Sequence, residues 1–141
     1  MRVFIDTNVL IDFVCERDGF SDKANELFAL GFMGKMHLQA SALSFVTTMY
    51  VAHKYDYPNV LQSLIKIAEF VEVVDLTAKT VIEMLSSDWK DYEDATQFRT
   101  ATQSLADCIV TRNKNDFSKS TIPVYDVAEL LSHVEASPNV H

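Results

Sequence analysis

Short apolar runs and longer segments of helical periodicity alternate along the whole chain. Runs with the length and composition of buried strands cover residues 2–5, 36–40, 71–74, 108–110 and 123–125. Apolar residues that recur every three or four positions predict helices over 9–15, 21–30, 45–54, 58–70, 77–85, 91–105 and 127–134. Strands that alternate with helices indicate βαβ units, so we expect a parallel sheet that helices cover on both faces.

Capping and breaking residues support several of these boundaries. Ser41 or Ser44 can cap the third helix, and Pro58 is suited to the first turn of the fourth. Gly31 and Gly34 are expected to end the second helix, because glycine is common just past a helix C-terminus.

The composition is that of one folded domain. Of the 141 residues 48% are hydrophobic, so a core can form without disulfides or metals. We expect one domain over residues 1–135 and a flexible C-terminal tail over 136–141. The two cysteines, Cys15 and Cys108, lie in apolar segments and are expected to be buried free thiols.

The apolar runs are too short for a membrane protein. None approaches the roughly 20 residues of a membrane span, and Asp6 interrupts the first run too early for a signal peptide. A reducing cytoplasm is therefore the expected compartment.

The net charge is −8, which argues against a polyanionic ligand, because proteins that bind nucleic acids usually carry a basic surface. Acids that cluster around bound cations would reverse the charge locally, and a partner protein could mask it. Composition alone therefore does not indicate an RNA-binding function.

Polar residues that directly follow predicted strands are the first candidates for chemistry. In open α/β sheets, ligands bind beyond the carboxyl ends of the strands. Asp6, Thr7 and Asn8 follow the first strand and should lie at that edge. Each of them could equally cap the next helix, so a structural and a functional role both remain open.

A second acidic segment opens the sixth predicted helix. Asp91 suits the N-cap, and Asp94 lies where a carboxylate interacts favourably with the helix dipole. Asp94 also shares a helical stripe with Phe98, Ala101 and Leu105, which should face the core. A carboxylate that points inward is costly unless it has a partner, and a cation would be one.

A third segment follows the fourth predicted strand, which ends at Thr111. The turn after it carries Asn113 and Asp116, whose other interpretation is an ordinary solvent-exposed loop. Asp107 precedes the strand and so should lie at the far edge of the sheet.

Three acids, Asp6, Asp94 and Asp116, are therefore predicted to converge at one edge of the sheet, with Asn8 and Asn113 beside them. Oxygen ligands of this kind suit Mg²⁺ or Mn²⁺ better than zinc. The four His residues are scattered, without the spacing of a zinc site. Neither a glycine-rich phosphate loop nor a serine nucleophile elbow is present in the sequence.

This set of residues resembles the PIN-domain nucleases over almost the whole chain, especially the VapC-like toxins of type II toxin–antitoxin pairs. The matching pieces are FIDTNVL over 4–10, DA over 94–95, IVTRN over 109–113 and DF over 116–117. The resemblance implies a three-layer α/β/α sandwich with a central five-stranded parallel sheet. It also implies Mg²⁺- or Mn²⁺-dependent endoribonuclease activity, a cognate antitoxin as partner and a homodimer.

The resemblance assigns the site residues by position. Asp6 and Asp94 match metal-binding acids of the family, and Asp116 or Asn113 would complete the site. The family toxins usually have a Glu six residues after the position of Ser41, where this chain has Thr47.

Asn113 stands where many relatives have Asp. Both differences reduce the negative charge, so metal affinity should fall or rest on one ion. Asp91 or Glu93 could compensate for the missing acid.

The predicted chemistry is metal-assisted hydrolysis of RNA phosphodiester bonds. Asp6 and Asp94 would hold the ion, Asp116 would be a further ligand or orient the attacking water, and Asn8 and Thr111 would position the carboxylates. Candidate phosphate contacts, for which solvated surface charge is an equal interpretation, are Arg112, Lys114, Lys90 and Lys54.

Three other functions are considered, and the sequence counts against the second and third of them. A domain of the same fold that has lost catalysis and only binds RNA or an antitoxin is favoured by Thr47 and Asn113. A phosphohydrolase that uses Asp6 as a covalent nucleophile would usually need an acid where Asn8 stands. A receiver-like signalling domain would place its acceptor Asp after a middle strand.

Overall fold

A five-stranded parallel sheet forms the centre of the fold, as the sequence predicts. The computed structural model describes residues 1–136. The predicted tail therefore lies outside the described residues except for Ala136, which ends the last helix. The strands are β1 (Arg2–Ile5), β2 (His37–Ser41), β3 (Val71–Val74), β4 (Cys108–Val110) and β5 (Val124–Tyr125).

Helices cover both faces of this sheet. In β1, Val3 and Ile5 belong to the larger apolar core, whereas Phe4 belongs to a smaller core on the opposite face. This alternation is the period of a strand that is buried on both faces, so the three-layer α/β/α sandwich is confirmed. The helices of the described chain are α1 (Thr7–Val14), α2 (Ser21–Phe32), α3 (Ala42–Lys54), α4 (Val60–Ile67), α5 (Ala78–Leu85), α6 (Tyr92–Gln103) and α7 (Val127–Ala136).

The strand order β3-β2-β1-β4-β5 places β1 at the centre of the sheet. At its carboxyl end, Ile5 pairs with Ala40 of β2 on one side and with Val110 of β4 on the other. The chain moves outward from β1 to β3 and then returns to the other side of β1. A crevice therefore opens between the carboxyl ends of β1 and β4, where ligands bind in folds of this kind.

Several predicted helix ends are wrong, each for a local reason. Gly31 lies inside α2 rather than at its end. Its glycine serves the packing of the helix on the sheet, because a side chain there would overlap the Leu38 side chain of β2. Gly34, with a φ of +73°, makes the turn after the helix. Pro58 does not begin α4, since left-handed Asn59 precedes that helix.

Other boundaries agree with the capping signals. The Ser41 side chain caps α3 by accepting a hydrogen bond from the Leu43 N–H. Cys15 and Cys108 are buried and free, as predicted. No helix within residues 1–136 has the length and apolar character that crossing a membrane requires.

Candidate active site

Asp6 is the buried centre of a polar network at the carboxyl end of β1. Its side chain is 4% exposed and caps α1 by accepting a hydrogen bond from the Thr7 N–H, 2.8 Å from Oδ1. The Thr111 hydroxyl donates to Oδ2 at 2.8 Å, and the Gln97 side-chain amide donates to Oδ1 at 3.2 Å. Two carboxylate oxygens can accept about four hydrogen bonds, so these donors leave room for a further ligand.

Thr111 connects Asp6 to the loop that follows β4. Its hydroxyl oxygen accepts hydrogen bonds from the Asn8 side-chain amide, at 3.4 Å, and from the Asn113 N–H, at 3.1 Å. The Asn8 Oδ1 in turn accepts from the Arg112 N–H at 3.3 Å. The structure thus brings together the predicted supporting residues Asn8, Thr111 and Asn113, the last through its main chain.

Asp94 and Asp116 line one cavity of about 270 Å³ beside this network. Asp91 caps α6 by accepting a hydrogen bond from the Asp94 N–H at 3.0 Å. Asp116 lies in a short 3-10 helix, Lys114–Phe117, that follows β4. Both predicted acids therefore face the same open space at the carboxyl edge of the sheet.

The pKa values show that these acids influence one another. Burial raises the pKa of Asp6, its hydrogen bonds with Thr111, Gln97 and Thr7 lower it, and the Asp116 charge raises it further. Partial burial raises the pKa of Asp94 to about 7, with contributions from the charges of Asp91, Asp6, Asp116 and Glu93. Groups of like charge that raise one another's pKa in a shared site would be stabilised by a cation between them.

The donor set fits a hard divalent cation, although it does not form a closed cage of acids. Within residues 1–136, no three His, Cys, Asp or Glu side chains are grouped closely enough to hold a metal ion by themselves. Mg²⁺ commonly uses one or two carboxylates and keeps several of its waters. Asp6, with acceptor capacity to spare, and Asp94 and Asp116, at the cavity, meet that requirement.

Gln97 is a member of the network that the sequence did not indicate. It is fully buried on α6, and its amide nitrogen lies 2.8 Å from the Ser44 hydroxyl and 3.2 Å from that of Thr7, in addition to the contact with Asp6. Its position three residues after Asp94 was the available signal, because residues three apart share a helix face. Ser44 contributes the α3 side of this network, whereas Thr47 is half-buried.

Replacing Gln97 with leucine should lower the free energy of unfolding by about 1–2 kcal/mol, since the two amide N–H groups that Asp6, Thr7 and Ser44 share would be lost from a buried site. Urea denaturation at neutral pH measures the effect. Gln103→Leu on the same helix is the matched control, because Gln103 is exposed and accepts one hydrogen bond from Thr80. Equal losses in the two variants would contradict the role assigned to Gln97.

The candidate phosphate contacts lie in different surroundings. The Arg112 Nε is 2.9 Å from Asp12, and the Lys114 Nζ is 2.8 Å from Glu129. Lys90 lines the cavity of Asp94. Lys54 lies at the C-terminal end of α3, beside two tyrosine rings, whereas the site is at the N-terminal end of that helix. Lys54 is thus not brought to the site.

Comparison with known proteins gives one family and several solved structures. A family model described as PIN domain matches residues 2–115. VapBC2 from Rickettsia felis, in a crystal structure bound to a promoter DNA fragment, is 16% identical, with a TM-score of 0.66 over 89% of this chain and 98% of that one. VapC20 from Mycobacterium tuberculosis, described as a Sarcin-Ricin loop cleaving toxin, is 17% identical, with a TM-score of 0.61 over 76% of this chain and 86% of that one.

FitAB bound to an IR36 DNA fragment is 13% identical, with a TM-score of 0.65 over 89% of this chain and 94% of that one. A search of the curated proteins finds no match. At these identities the solved structures establish the fold, and the family model covers most of the chain.

Proposed function

This chain belongs to the PIN domain family, and we propose that it is a metal-dependent endoribonuclease that hydrolyses RNA phosphodiester bonds. The observation that carries the proposal is the arrangement of acids at the carboxyl edge of β1 and β4. Asp6 is buried and held by three donors, while Asp94 and Asp116 face one cavity, and the charges of Asp6 and Asp116 help to raise the pKa of Asp94. A structural carboxylate cap would not need two further acids beside it.

Asp6 and Asp94 would hold Mg²⁺ or Mn²⁺ in this proposal, with Asp116 as a further ligand. The bound ion would supply charge neutralisation at the phosphate and acidify water at neutral pH. Thr111 and Gln97 fix the Asp6 carboxylate through hydrogen bonds, so that its free acceptor sites keep one direction. If the Asp116 carboxylate does not bind the ion, it would orient the attacking water from the cavity wall.

The surface around the acids suits a chain of nucleotides better than a single small molecule. The cavity of Asp94 and Asp116 adjoins a second one through Asp116. That second cavity adjoins a third through Arg112, Asn113 and Asp126. Basic residues line all three and offset part of the acidic charge along the path; they are Lys90, Lys119, Arg112, Lys114 and Lys23.

We further propose that the chain is the toxin of a toxin–antitoxin pair, that it forms a homodimer and that it acts in the cytoplasm. The similar solved structures support the first part, since two of them are complexes bound to DNA and the third is a toxin. An antitoxin could also mask the net charge of −8.

The proposal is tested by incubating the purified chain with a mixed-sequence RNA after EDTA treatment, with and without added Mn²⁺ or Mg²⁺. We expect cleavage only with the metal, and none with Asp6→Asn. RNA binding by the parent without cleavage under any metal condition would instead support a catalytically inactive binding module. Cleavage that EDTA leaves unchanged would contradict metal dependence.

Replacing Lys114 with methionine should weaken RNA binding by a few-fold and reduce the dependence of log Kd on log salt by about one unit. Lys114 lines the second cavity, and its partner Glu129 is exposed, so phosphate can compete for the ammonium. Lys79→Met is the matched control, because Lys79 also pairs with a glutamate but lies on α5. Binding titrations at several salt concentrations measure both effects. Indistinguishable slopes would remove Lys114 from the interface.

A further inference from the structure

Asp12 is a buried carboxylate that the proposed chemistry does not use. It lies within α1, is 2% exposed, and faces two arginines. Arg112 approaches Oδ2 to 2.9 Å, and Arg17 approaches Oδ1 to 3.7 Å. Burial raises the pKa of Asp12, and the two arginines lower it. A charge in this position is retained only if it is paired, and its closest partner follows Thr111 directly in the sequence.

Arg112 is fixed to the α1 region at both its side chain and its main chain. Its guanidinium lies 4.1 Å from the centre of the Phe20 ring, in the turn between α1 and α2. The Arg112 guanidinium and the Asp12 carboxylate form an ion pair. The Arg112 N–H donates to the Asn8 side chain of the same helix. These contacts fix the direction in which the chain leaves β4.

That direction determines the geometry around Asp6. Thr111 precedes Arg112, and its hydroxyl donates to the Asp6 Oδ2 at 2.8 Å. Asn113 follows Arg112, and its N–H donates to the same Thr111 oxygen. A shift of Arg112 would therefore move both neighbours and loosen the donor that holds the Asp6 carboxylate.

We propose that the Asp12–Arg112 pair is a positioning device that holds the end of β4 against α1 and so keeps the Thr111 hydroxyl on Asp6. This inference rests on the proposed function only for the consequence at the metal site. It gives Arg112 a different role from the phosphate contact that the sequence suggests. A buried ion pair adds little stability over a well-packed apolar pair, so stability alone is a weak reason for this arrangement.

The test compares Arg112→Met with Arg17→Met. Both variants remove a cation from Asp12, but Arg17 contacts α1 and its following turn, whereas Arg112 is next to Thr111. Arg112→Lys tests rescue by a retained charge. The double variant Asp12→Asn, Arg112→Met removes both charges, so that no unpaired carboxylate remains to unfold the chain.

Amide hydrogen exchange in the metal-free protein measures directly how firmly the segment after β4 is held. We expect the Arg112 and Asn113 amides to exchange about tenfold faster in Arg112→Met and in the double variant than in Arg17→Met, with partial recovery in Arg112→Lys. Parent-like exchange at these amides in the double variant would overturn the inference. This readout does not depend on whether the chain cleaves RNA.

Mn²⁺ affinity, measured by calorimetry, tests the consequence for Asp6. Arg112→Met should bind Mn²⁺ about tenfold more weakly than Arg17→Met. Loss of a residue that orients a metal ligand typically lowers metal affinity by about tenfold or more. Equal Mn²⁺ affinities combined with faster exchange would overturn the link to the site. If the parent neither binds Mn²⁺ nor cleaves RNA, the proposed function fails, and the exchange rates alone decide the inference.

Discussion

Replacing Asp6 with asparagine is expected to lower RNA cleavage by at least about a thousandfold while leaving the fold intact. Asparagine has the same shape, and its Oδ1 can still accept from the Thr7 N–H and from Gln97. The Thr111 hydroxyl already accepts from Asn8 and Asn113, so it loses its acceptor on Asp6 and cannot replace it by accepting from the new amide. The variant therefore loses the charge at the site and one hydrogen bond, and keeps the contacts with Thr7 and Gln97.

The stability of the same variant supplies an independent check. Burial raises the pKa of Asp6 in the folded protein, so the ionised form is disfavoured relative to the unfolded chain. Above the folded pKa this cost is fully present, and asparagine removes it. Without metal, at pH 8, the variant should melt at the same temperature as the parent or higher.

Asp107→Asn is the matched control, because Asp107 accepts a hydrogen bond from the Arg2 N–H at the opposite edge of the sheet. It should leave cleavage within about twofold of the parent, since surface changes away from a site usually have small effects. Asp6→Asn that keeps cleavage above a tenth of the parent rate would exclude Asp6 as a metal ligand.

The strands and the position of the site could be predicted from the sequence because both follow from local patterns. Apolar runs identify strands, and a parallel sheet brings the residues after each strand to one edge. Asp6 and Thr111 follow neighbouring strands and are hydrogen bonded in the structure. The metal-binding role of Asp6, Asp94 and Asp116 stays a prediction that these variants test.

The buried contacts between distant segments could not be predicted in this way. In the sequence, Gln97 has the pattern of an ordinary polar helix residue. Only the contacts of its amide with Asp6 and with Ser44 of α3 show that it is buried. Leu105 shows the reverse case, since it shares the predicted inward stripe but lies past the end of α6 with a left-handed backbone and is 70% exposed. The sequence alone favours a surface position for Arg112, because its partner Asp12 lies about one hundred residues earlier in the chain.

Asp94→Asn should weaken the pH dependence of metal binding between pH 6 and 8 and lower cleavage at least about a hundredfold. The pKa of Asp94 is about 7 in the metal-free protein. Below that pH a proton competes with the ion, so the parent's Mn²⁺ affinity should rise about tenfold per pH unit up to pH 7 and level off above pH 8. Calorimetry at pH 6, 7 and 8 measures this profile.

The same pKa makes a second prediction for stability. In the folded chain Asp94 keeps its proton up to about pH 7, whereas in the unfolded chain it titrates near the ordinary aspartate pKa of 3.8. The folded state thus binds more protons between these values, so metal-free stability should fall as the pH rises from about 4 to about 7. Asp94→Asn should remove about 1–2 kcal/mol of that fall, less than the full shift because solvent screens the partly exposed group.

Asp91→Asn separates the charge effect from the ligand effect. Asparagine remains a good N-cap for α6, so the Asp94 N–H keeps its acceptor. Asp91 contributes the largest of the neighbouring charges that raise the pKa of Asp94, after burial itself. Removing the Asp91 charge should move the midpoint of the curve of Mn²⁺ affinity against pH to lower pH. Mn²⁺ binding above pH 8 should be retained. If the parent and Asp94→Asn gain the same thermal stabilisation from Mn²⁺ at every pH, Asp94 does not bind the ion, and its raised pKa reflects only partial burial among other acids.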